Sequence, residues 1–364
     1  MNPLTINGLA TLSAAGDRPE ALAQRVADLA GAAHPGVPVG AIVTEALPHP
    51  QGQALLDFDV RARLGRRGTS FYDRATALAV VACGDALDDS GLTVDDTTRT
   101  RIGVVLGTTV GSLKSTSDYT RETLVQDKPY LVNPVLFPNT VMNCAAGQAA
   151  IRHGLKGVNA TVTGGPLAFF NALRYAGNAI RRGYVDTMLV GAVEEFSAHR
   201  AWASALGPTG GAIPAGEGAA VFVIGGPADS GGPADSGGPA DSGGPAVCAA
   251  TTGYGPDGTA EQALTDCVAR ALRAAGAVPG DVTLLATSET VTAGPRPQRD
   301  AALRALDGHR PAELVVSRAA GDCGAALPAL ALAAALREPG TRSGLTLLTA
   351  HGTDGGVGAA LVRR

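Results

Sequence analysis

Long uninterrupted apolar runs are missing from this chain of 364 residues. No stretch of about 18 such residues is free of charge or glycine, so no membrane-spanning helix is expected. The opening Met1-Asn2-Pro3-Leu4-Thr5 lacks the basic-then-apolar layout of a secretory signal, and a cytoplasmic protein is the expectation. Cysteine is sparse and odd in number: Cys83, Cys144, Cys248, Cys267 and Cys323 are scattered, with no C-x-x-C pair. That excludes a disulfide framework or zinc site as a reading and leaves reduced, mostly buried thiols. No metal or other cofactor is expected. Basic charge is not in excess either. Lys+Arg 29 against Asp+Glu 33 gives a net charge of −4, which lacks the footprint a nucleic-acid partner requires. Lysine occurs only at Lys114, Lys128 and Lys156, and arginine supplies the other cations. What is present is apolar: 45% hydrophobic against 17% charged residues, enough for a sizeable core and too much for wholesale disorder.

One tract stands apart. From Gly225 to Ala246 the chain reads GGPADS three times and then GGPA. Glycine is entropically costly to order and proline blocks ladder pairing, so this tract reads as a flexible surface linker. It separates two halves, 1–224 and 247–364, that resemble each other. In the first, a helical pattern over Asp73–Asp88 carries Ala75, Leu78, Ala79, Ala82 and Ala86 on one face. It stops at Ser90-Gly91, and the apolar run Ile102–Gly107 follows. In the second, a helix over Ala260–Ala274 presents Leu264, Cys267, Val268, Ala271 and Leu272. It stops at Ala275-Gly276, and Val282–Ala286 follows. Glycine just past a helix is the expected C-terminal signal. Each half then closes with an Ala-rich helix (Leu167–Arg182; Ala325–Arg337) and two strands (Thr187–Val190 and Ala219–Val223; Leu345–Leu348 and Gly358–Val362). Such continuous apolar strands are those covered on both faces, and the alternation predicts a duplicated α/β unit.

The order of these pieces resembles the β-ketoacyl synthases of the thiolase-like fold, over nearly the whole chain outside the GGPADS tract. Asp85-Ala86-Leu87-Asp88-Asp89-Ser90-Gly91-Leu92 is similar to that family's helix end. Val132-Asn133-Pro134 through Pro138–Gln148 resembles its dimer-interface stretch. His153-Gly154-Leu155-Lys156-Gly157 leads into the strand before the nucleophile, and Arg182-Gly183-Tyr184-Val185-Asp186 to Gly191-Ala192-Val193-Glu194 is similar to its "G-D-x-D-x-x-x-x-G-G-x-E" segment. Gly216-Glu217-Gly218-Ala219 resembles its "G-E-G-A". The resemblance implies a thiolase-like, duplicated αβαβα layered fold. It also implies a chemistry: a Cys thiolate at a strand-to-helix turn takes an acyl chain from a carrier protein, and two His side chains serve decarboxylation and the enolate.

None of the three groups stands at its family position. Counted ungapped from Gly157, the Cys position holds Pro166, which has neither nucleophile nor N–H. The first His belongs in an "H-G-T-S-T", where Ala286-Thr287-Ser288-Glu289-Thr290 places Thr287. The second belongs in a "T-G-H" before a Gly-Ala-Ala helix start, where Ala320-Gly321-Asp322-Cys323-Gly324-Ala325-Ala326 places Asp322. Loss of all three resembles the chain-length factor, or KS-β subunit, of type II polyketide synthases. That subunit pairs with a catalytic ketosynthase and shapes the acyl tunnel. Many such subunits carry Gln at the Cys position; Pro166 departs from this and speaks against a decarboxylase role. The short chain leans toward a reducing, polyene-forming system. Expected partners are the active ketosynthase, as a heterodimer, and an acyl carrier protein bearing its chain on phosphopantetheine.

Two other readings stay open: an acyltransferase whose nucleophile has moved to Cys323 or Cys144, with His351 as a possible base for the first, and a homodimeric acyl-binding protein. His153, at a helix end, reads as a cation facing the helix dipole. Asp88-Asp89 and Asp95-Asp96 read as solvated, without metal-ligand spacing. Glu194 reads as structural, and Gly107-Thr108-Thr109-Val110-Gly111 lacks the Lys-Ser/Thr of a phosphate loop. The pairs Arg66-Arg67 and Arg181-Arg182 are candidate docking points for an acidic carrier protein. By resemblance, Leu113, Ser115, Thr116 and Tyr119, with Val135, Leu136, Phe137 and Met142, face the dimer seam and the neighbour's acyl chain.

Overall fold

A computed structural model describes residues 3–29, 32, 34–207, 213–225, 244–256, 258–290, 294–338 and 343–364. Its strands are β1 (Leu4–Ser13), β2 (Val37–Pro38), β3 (Gln51–Gly52), β4 (Ile102–Thr108), β5 (Asn159–Thr163), β6 (Thr187–Glu194), β7 (Gly218–Gly225), β8 (Ala246–Tyr254), β9 (Val282–Thr287), β10 (Ala312–Val315), β11 (Leu345–His351) and β12 (Gly356–Arg363). The helices are α1 (Pro19–Asp28), α2 (Val60–Leu64), α3 (Arg74–Ser90), α4 (Leu113–Val125), α5 (Cys144–His153), α6 (Leu167–Arg181), α7 (Ala198–Leu206), α8 (Ala260–Ala275), α9 (Pro297–Ala305), α10 (Ser317–Ala320) and α11 (Ala326–Arg337).

Ten strands join in the order β10-β9-β11-β12-β8-β1-β7-β6-β4-β5. Read outward from the centre, β1-β7-β6-β4-β5 and β8-β12-β11-β9-β10 follow one pattern. The first two pairings of each are antiparallel and the last two parallel. Only Leu4↔Val247 and Thr5↔Ala246 pair across the middle, so the sheet divides into two equivalent lobes. The ends of the GGPADS tract, Gly225 and Ala246, are the last residue of β7 and the first of β8; residues 226–243 lie outside the described residues.

The lobes are joined by α6 and α11. Helix α6 packs on β4, β5 and β6 of one lobe and on β8 and β12 of the other, while α11 packs on β6 and β7 and on β9 and β11. A helix covered on both sides needs small apolar residues all round, and α11 is buried from Ala326 through Ala335. Helices α3 and α5 cover the outer face of the first lobe, α8 and α9 that of the second. Helix α3 starts where the Asp73 carboxylate accepts the Thr76 N–H, and stops at left-handed Gly91 (φ 65°). Its counterpart α8 stops at Gly276, also at φ 65°. Among the described residues no helix is long and apolar enough to cross a membrane.

Candidate functional site

Strand β5 passes into α6 through Gly164 (φ 136°), Gly165 (φ 55°) and Pro166. A Cβ on either glycine would meet nothing within 4 Å, so the backbone conformation, not crowding, requires them. Pro166 (φ −59°, ψ −21°) stands as the cap of the helix. A helix start ordinarily offers free N–H groups to an anion. Here Pro166 has none, while Leu167 and Ala168 donate back into the turn, to the carbonyls of Gly164 (3.2 Å) and Gly165 (3.0 Å). The turn has the shape of a nucleophile elbow, without a nucleophile and with the first donors already engaged.

Thr287 ends β9 and is buried. Its hydroxyl donates to Glu289 Oε2 at 3.4 Å. Glu289 in turn accepts from Arg296 Nε (3.0 Å) and from the N–H groups of Gln298 (2.9 Å) and Arg299 (3.1 Å), so it closes the start of α9. Asp322 lies in the turn before α11, whose cap residue, the counterpart of Pro166 before α6, is Ala325. The Asp322 Oδ1 accepts the Gly324 N–H (3.0 Å), its Oδ2 the Ser204 hydroxyl (3.1 Å), and Arg200 lies 3.8 Å away. The Arg200 guanidinium also donates to the Asp322 carbonyl (3.1 Å) and to Glu194 (3.0 Å). Glu194, at the end of β6, accepts further from the hydroxyl and N–H of Thr109 and from the Ala325 N–H (3.2 Å). Burial pushes its carboxyl above the usual range, and Arg200 opposes that. One carboxylate thus ties the ends of β4 and β6 to the start of α11, across the two halves. Glu217 is a second buried carboxylate, tying segments within the first half. Fully buried, it accepts from Leu55 N (2.7 Å), Phe196 N (3.0 Å) and Arg74 Nε (2.6 Å).

The relocated-nucleophile reading fails on geometry. Cys323 is fully buried, and its thiol donates to the carbonyls of Ala320 (3.1 Å) and Glu217 (3.4 Å), with no imidazole among its partners. Burial holds its pKa well above the ordinary thiol value. Cys144 begins α5, yet burial raises its thiol too, and it donates to Asn139 Oδ1 at 3.4 Å. A reactive cysteine needs the opposite shift. His351 closes β11 opposite Val357. His153 also needs correction. It ends α5, but its ring turns into α3, with Nε2 2.8 Å from the Val80 carbonyl, and burial lowers its pKa, which favours neutral imidazole over a cation at the helix end. Gly84 makes room for the ring: a Cβ there would lie 2.8 Å from it.

The residues expected at the dimer seam gather beyond the same, C-terminal end of β4. Leu113, Ser115, Thr116 and Tyr119 lie on α4, against the 3-10 turn Pro134–Thr140 that holds Val135, Leu136 and Phe137. Tyr119 meets Phe137 edge to face, 5.9 Å between centroids. Met142 flanks a cavity of only about 10 Å³ that Gly107, Gly111, Ser112 and Thr161 also line. Behind α4 lies a pair that sequence reading passed over. Glu195 accepts from the Ser112 hydroxyl (2.9 Å) and Lys114 N–H (3.2 Å), beside half-buried Asp73. Burial above all, then the Asp73 charge, raises Glu195 to about 7 from 4.5. A carboxyl raised on folding binds its proton tighter in the native state, so stability falls as pH rises through that interval. Glu195→Gln keeps both partners, the amide oxygen accepting from Lys114 and the NH₂ donating to Ser112. It is expected to match the wild type near pH 4.5 and exceed it by about 3 kcal/mol at about pH 8. Denaturant melts at the two pH values check this, and an equal offset at both would contradict it.

Against known proteins, the family model for the β-ketoacyl synthase N-terminal domain matches residues 46–224. A 3-oxoacyl-[acyl-carrier-protein] synthase 2 from Synechocystis is 33% identical over 144 residues, 39% of this chain and 34% of that protein. Its Staphylococcus aureus counterpart is 29% identical over 147 residues, 40% and 35% respectively. The matched region spans about a third of the length of these curated relatives. Among solved structures, the ishigamide ketosynthase/chain length factor superposes with TM-score 0.79 at 32% identity, covering 100% of this chain and 99% of that one. A β-ketoacyl synthase from Burkholderia phymatum gives TM-score 0.77 at 18% identity over 100% of both chains, a likeness of fold alone. The thiolase-like layered fold expected from sequence is the fold observed.

Proposed function

The chain belongs to the β-ketoacyl synthase family, and from that premise we propose that it is a catalytically silent subunit: a chain-length factor that pairs with an active ketosynthase in type II polyketide biosynthesis. The observation that carries the reading is the elbow at Pro166, with no nucleophile and its first donors spent on the turn. Thr287 and Asp322, bound into the Glu289 cap and the Arg200 ion pair, supply no imidazole. The halves 1–224 and 247–364, linked by the GGPADS tract, serve as scaffold, and the complex works in the cytoplasm. The ketosynthase partner covers the apolar face around α4 and the Pro134–Thr140 turn. An acyl carrier protein presents its phosphopantetheine-bound chain to the pair, with the exposed Arg66-Arg67 as a contact for its acidic surface. That a solved relative is a ketosynthase/chain length factor supports this, as does a fold shared with a type II acyl-carrier protein–ketosynthase complex bound to the hexaketide.

Acyl loading tests the proposal. Incubated with loaded carrier protein, alone or with its ketosynthase, this chain is expected to take up no covalent acyl group while the partner does; intact-mass detection of an acylated form of this chain would overturn it. Pro166→Cys alone is expected to leave it silent toward condensation, because no imidazole joins the thiol. The tunnel assignment has its own test. Thr116 is small and half-buried at the seam, and Thr116→Trp is expected to move most of the product to shorter chains, read by mass spectrometry. An unchanged product distribution would remove Thr116 from the tunnel wall.

A further inference from the structure

Away from the seam, α6, β8 and α8 enclose a groove of about 320 Å³ whose floor is apolar, with Leu4, Leu173 and Val247. Its rim is cationic. Arg174, Asn178 and Arg181 recur at i, i+4 and i+7, so they share one face of α6. Arg270 reaches in from α8. Arg174 Nη1 donates to the Thr252 hydroxyl (2.6 Å) and Arg270 Nη2 to the Thr252 carbonyl (3.0 Å), so guanidiniums from two helices meet at one residue of β8. Gly253 keeps that meeting open, since a Cβ there would lie 3.1 Å from Arg270 Nη2. Arg181 is held by Asn178 Oδ1 (2.8 Å). Other arginines of the surface, such as Arg63, Arg101 and Arg304, hold carboxylates. Among the described residues none of these three does. Their charge reaches the protein beneath: Arg270 and Arg174 both draw the Cys267 thiol down against the burial that raises it.

Three guanidiniums around one groove repel one another until an anion sits between them. Their planar forks match the oxygens of a phosphate, and Thr252 and Asn178 stand beside them. The apolar floor suits an uncharged ring or carbon group behind such an anion, and the volume is that of a small-ligand site. We propose that this groove binds a small organic phosphate ester, its phosphate between Arg174, Arg270 and Arg181 and its organic part on Leu4, Leu173 and Val247. The site is independent of the silent elbow and of the seam.

Calorimetric titration of the full chain with adenosine diphosphate, inorganic phosphate and adenosine separates the sources of affinity. The ester is expected to bind saturably, phosphate more weakly and adenosine not at all, with ester affinity falling as salt is raised. Arg174→Ala and Arg270→Ala are each expected to weaken the ester about tenfold, the worth of one charge-assisted hydrogen bond. Arg174→Lys and Arg270→Lys, which keep the charge, serve if the alanine variants misfold; they are expected to weaken it less. No saturable binding, or equal affinity in the variants, would overturn the site, and phosphate binding as tightly as the ester would remove the organic part. Binding that appears only after Asp229, Asp235 and Asp241 are changed to Asn would give the arginines to the chain's own carboxylates, and overturn it too.

Discussion

Arg200→Met is expected to lower the folding stability by about 3–5 kcal/mol, the cost of stranding a buried charge by removing its partner. The Arg200 side chain is 12% exposed and that of Glu194 1%. Without the guanidinium, Glu194 keeps its donors from Thr109 and Ala325 but loses its counter-charge in a site where water cannot replace it. Asp322 loses the donor to its carbonyl as well. The loss has a pH signature. Burial already raises Glu194, and removing Arg200 raises it further, so the deficit is expected to shrink as pH falls and the carboxyl takes up a proton. Glu194→Gln combined with Arg200→Met is expected to recover most of the stability, since a neutral pair carries no stranded charge. Urea melts of the single and double variants read both effects. A single variant within about 1 kcal/mol of the wild type would show that the pair does not hold the two halves together.

That network also marks how far the sequence could be read. The duplicated α/β order was legible because each half repeats an amphipathic helix stopped by a glycine, Gly91 or Gly276, before a buried apolar run. Strands β1 and β8 were not read. β1 carries Asn7-Gly8 in its middle, and Gly8 is there for a tertiary reason: a Cβ would lie 2.6 Å from the Ser90 backbone N of α3. β8 starts on the last residue of a Gly/Pro tract, which hides its boundary. Pro166, Thr287 and Asp322 were singled out only through family resemblance, since only a known pattern says where a Cys and two His are expected. What occupies their surroundings was not legible. Glu194 and Arg200 face each other because β6 leads through Phe196-Ser197 straight into α7, and Glu195 meets Ser112 across 83 residues of chain. His153 misled for a similar reason: the pocket that buries its ring is made by the absence of a side chain at Gly84.

The second large effect concerns the face left open. Phe137→Asp is expected to abolish co-purification with the proposed partner ketosynthase, an affinity loss of at least about a hundredfold, while costing the isolated chain only about 1 kcal/mol, the worth of the lost Tyr119 contact. Leu124, Leu131, Phe137 and Met142 are 79%, 53%, 52% and 47% exposed on adjoining elements, and Ile151 on α5 is 75% exposed. Exposed large apolar side chains grouped in this way mark a protein–protein contact face. Strand β5 pairs on one side with β4, and its other edge has no partner among the described residues. An open edge beside an apolar face invites a second chain. In that face an aspartate would be buried without a counter-charge, which costs several kcal/mol in the complex, whereas the free chain loses only the Tyr119 ring contact. Co-expression followed by gel filtration reads the complex, and a urea melt of the isolated variant reads the fold. If Phe137→Asp still co-elutes, this face is not where the proposed ketosynthase partner binds. If the wild-type chain instead forms a stable pair with itself through this face, and the substitution breaks that pair in the absence of any ketosynthase, the homodimeric acyl-binding reading gains what the heterodimer loses.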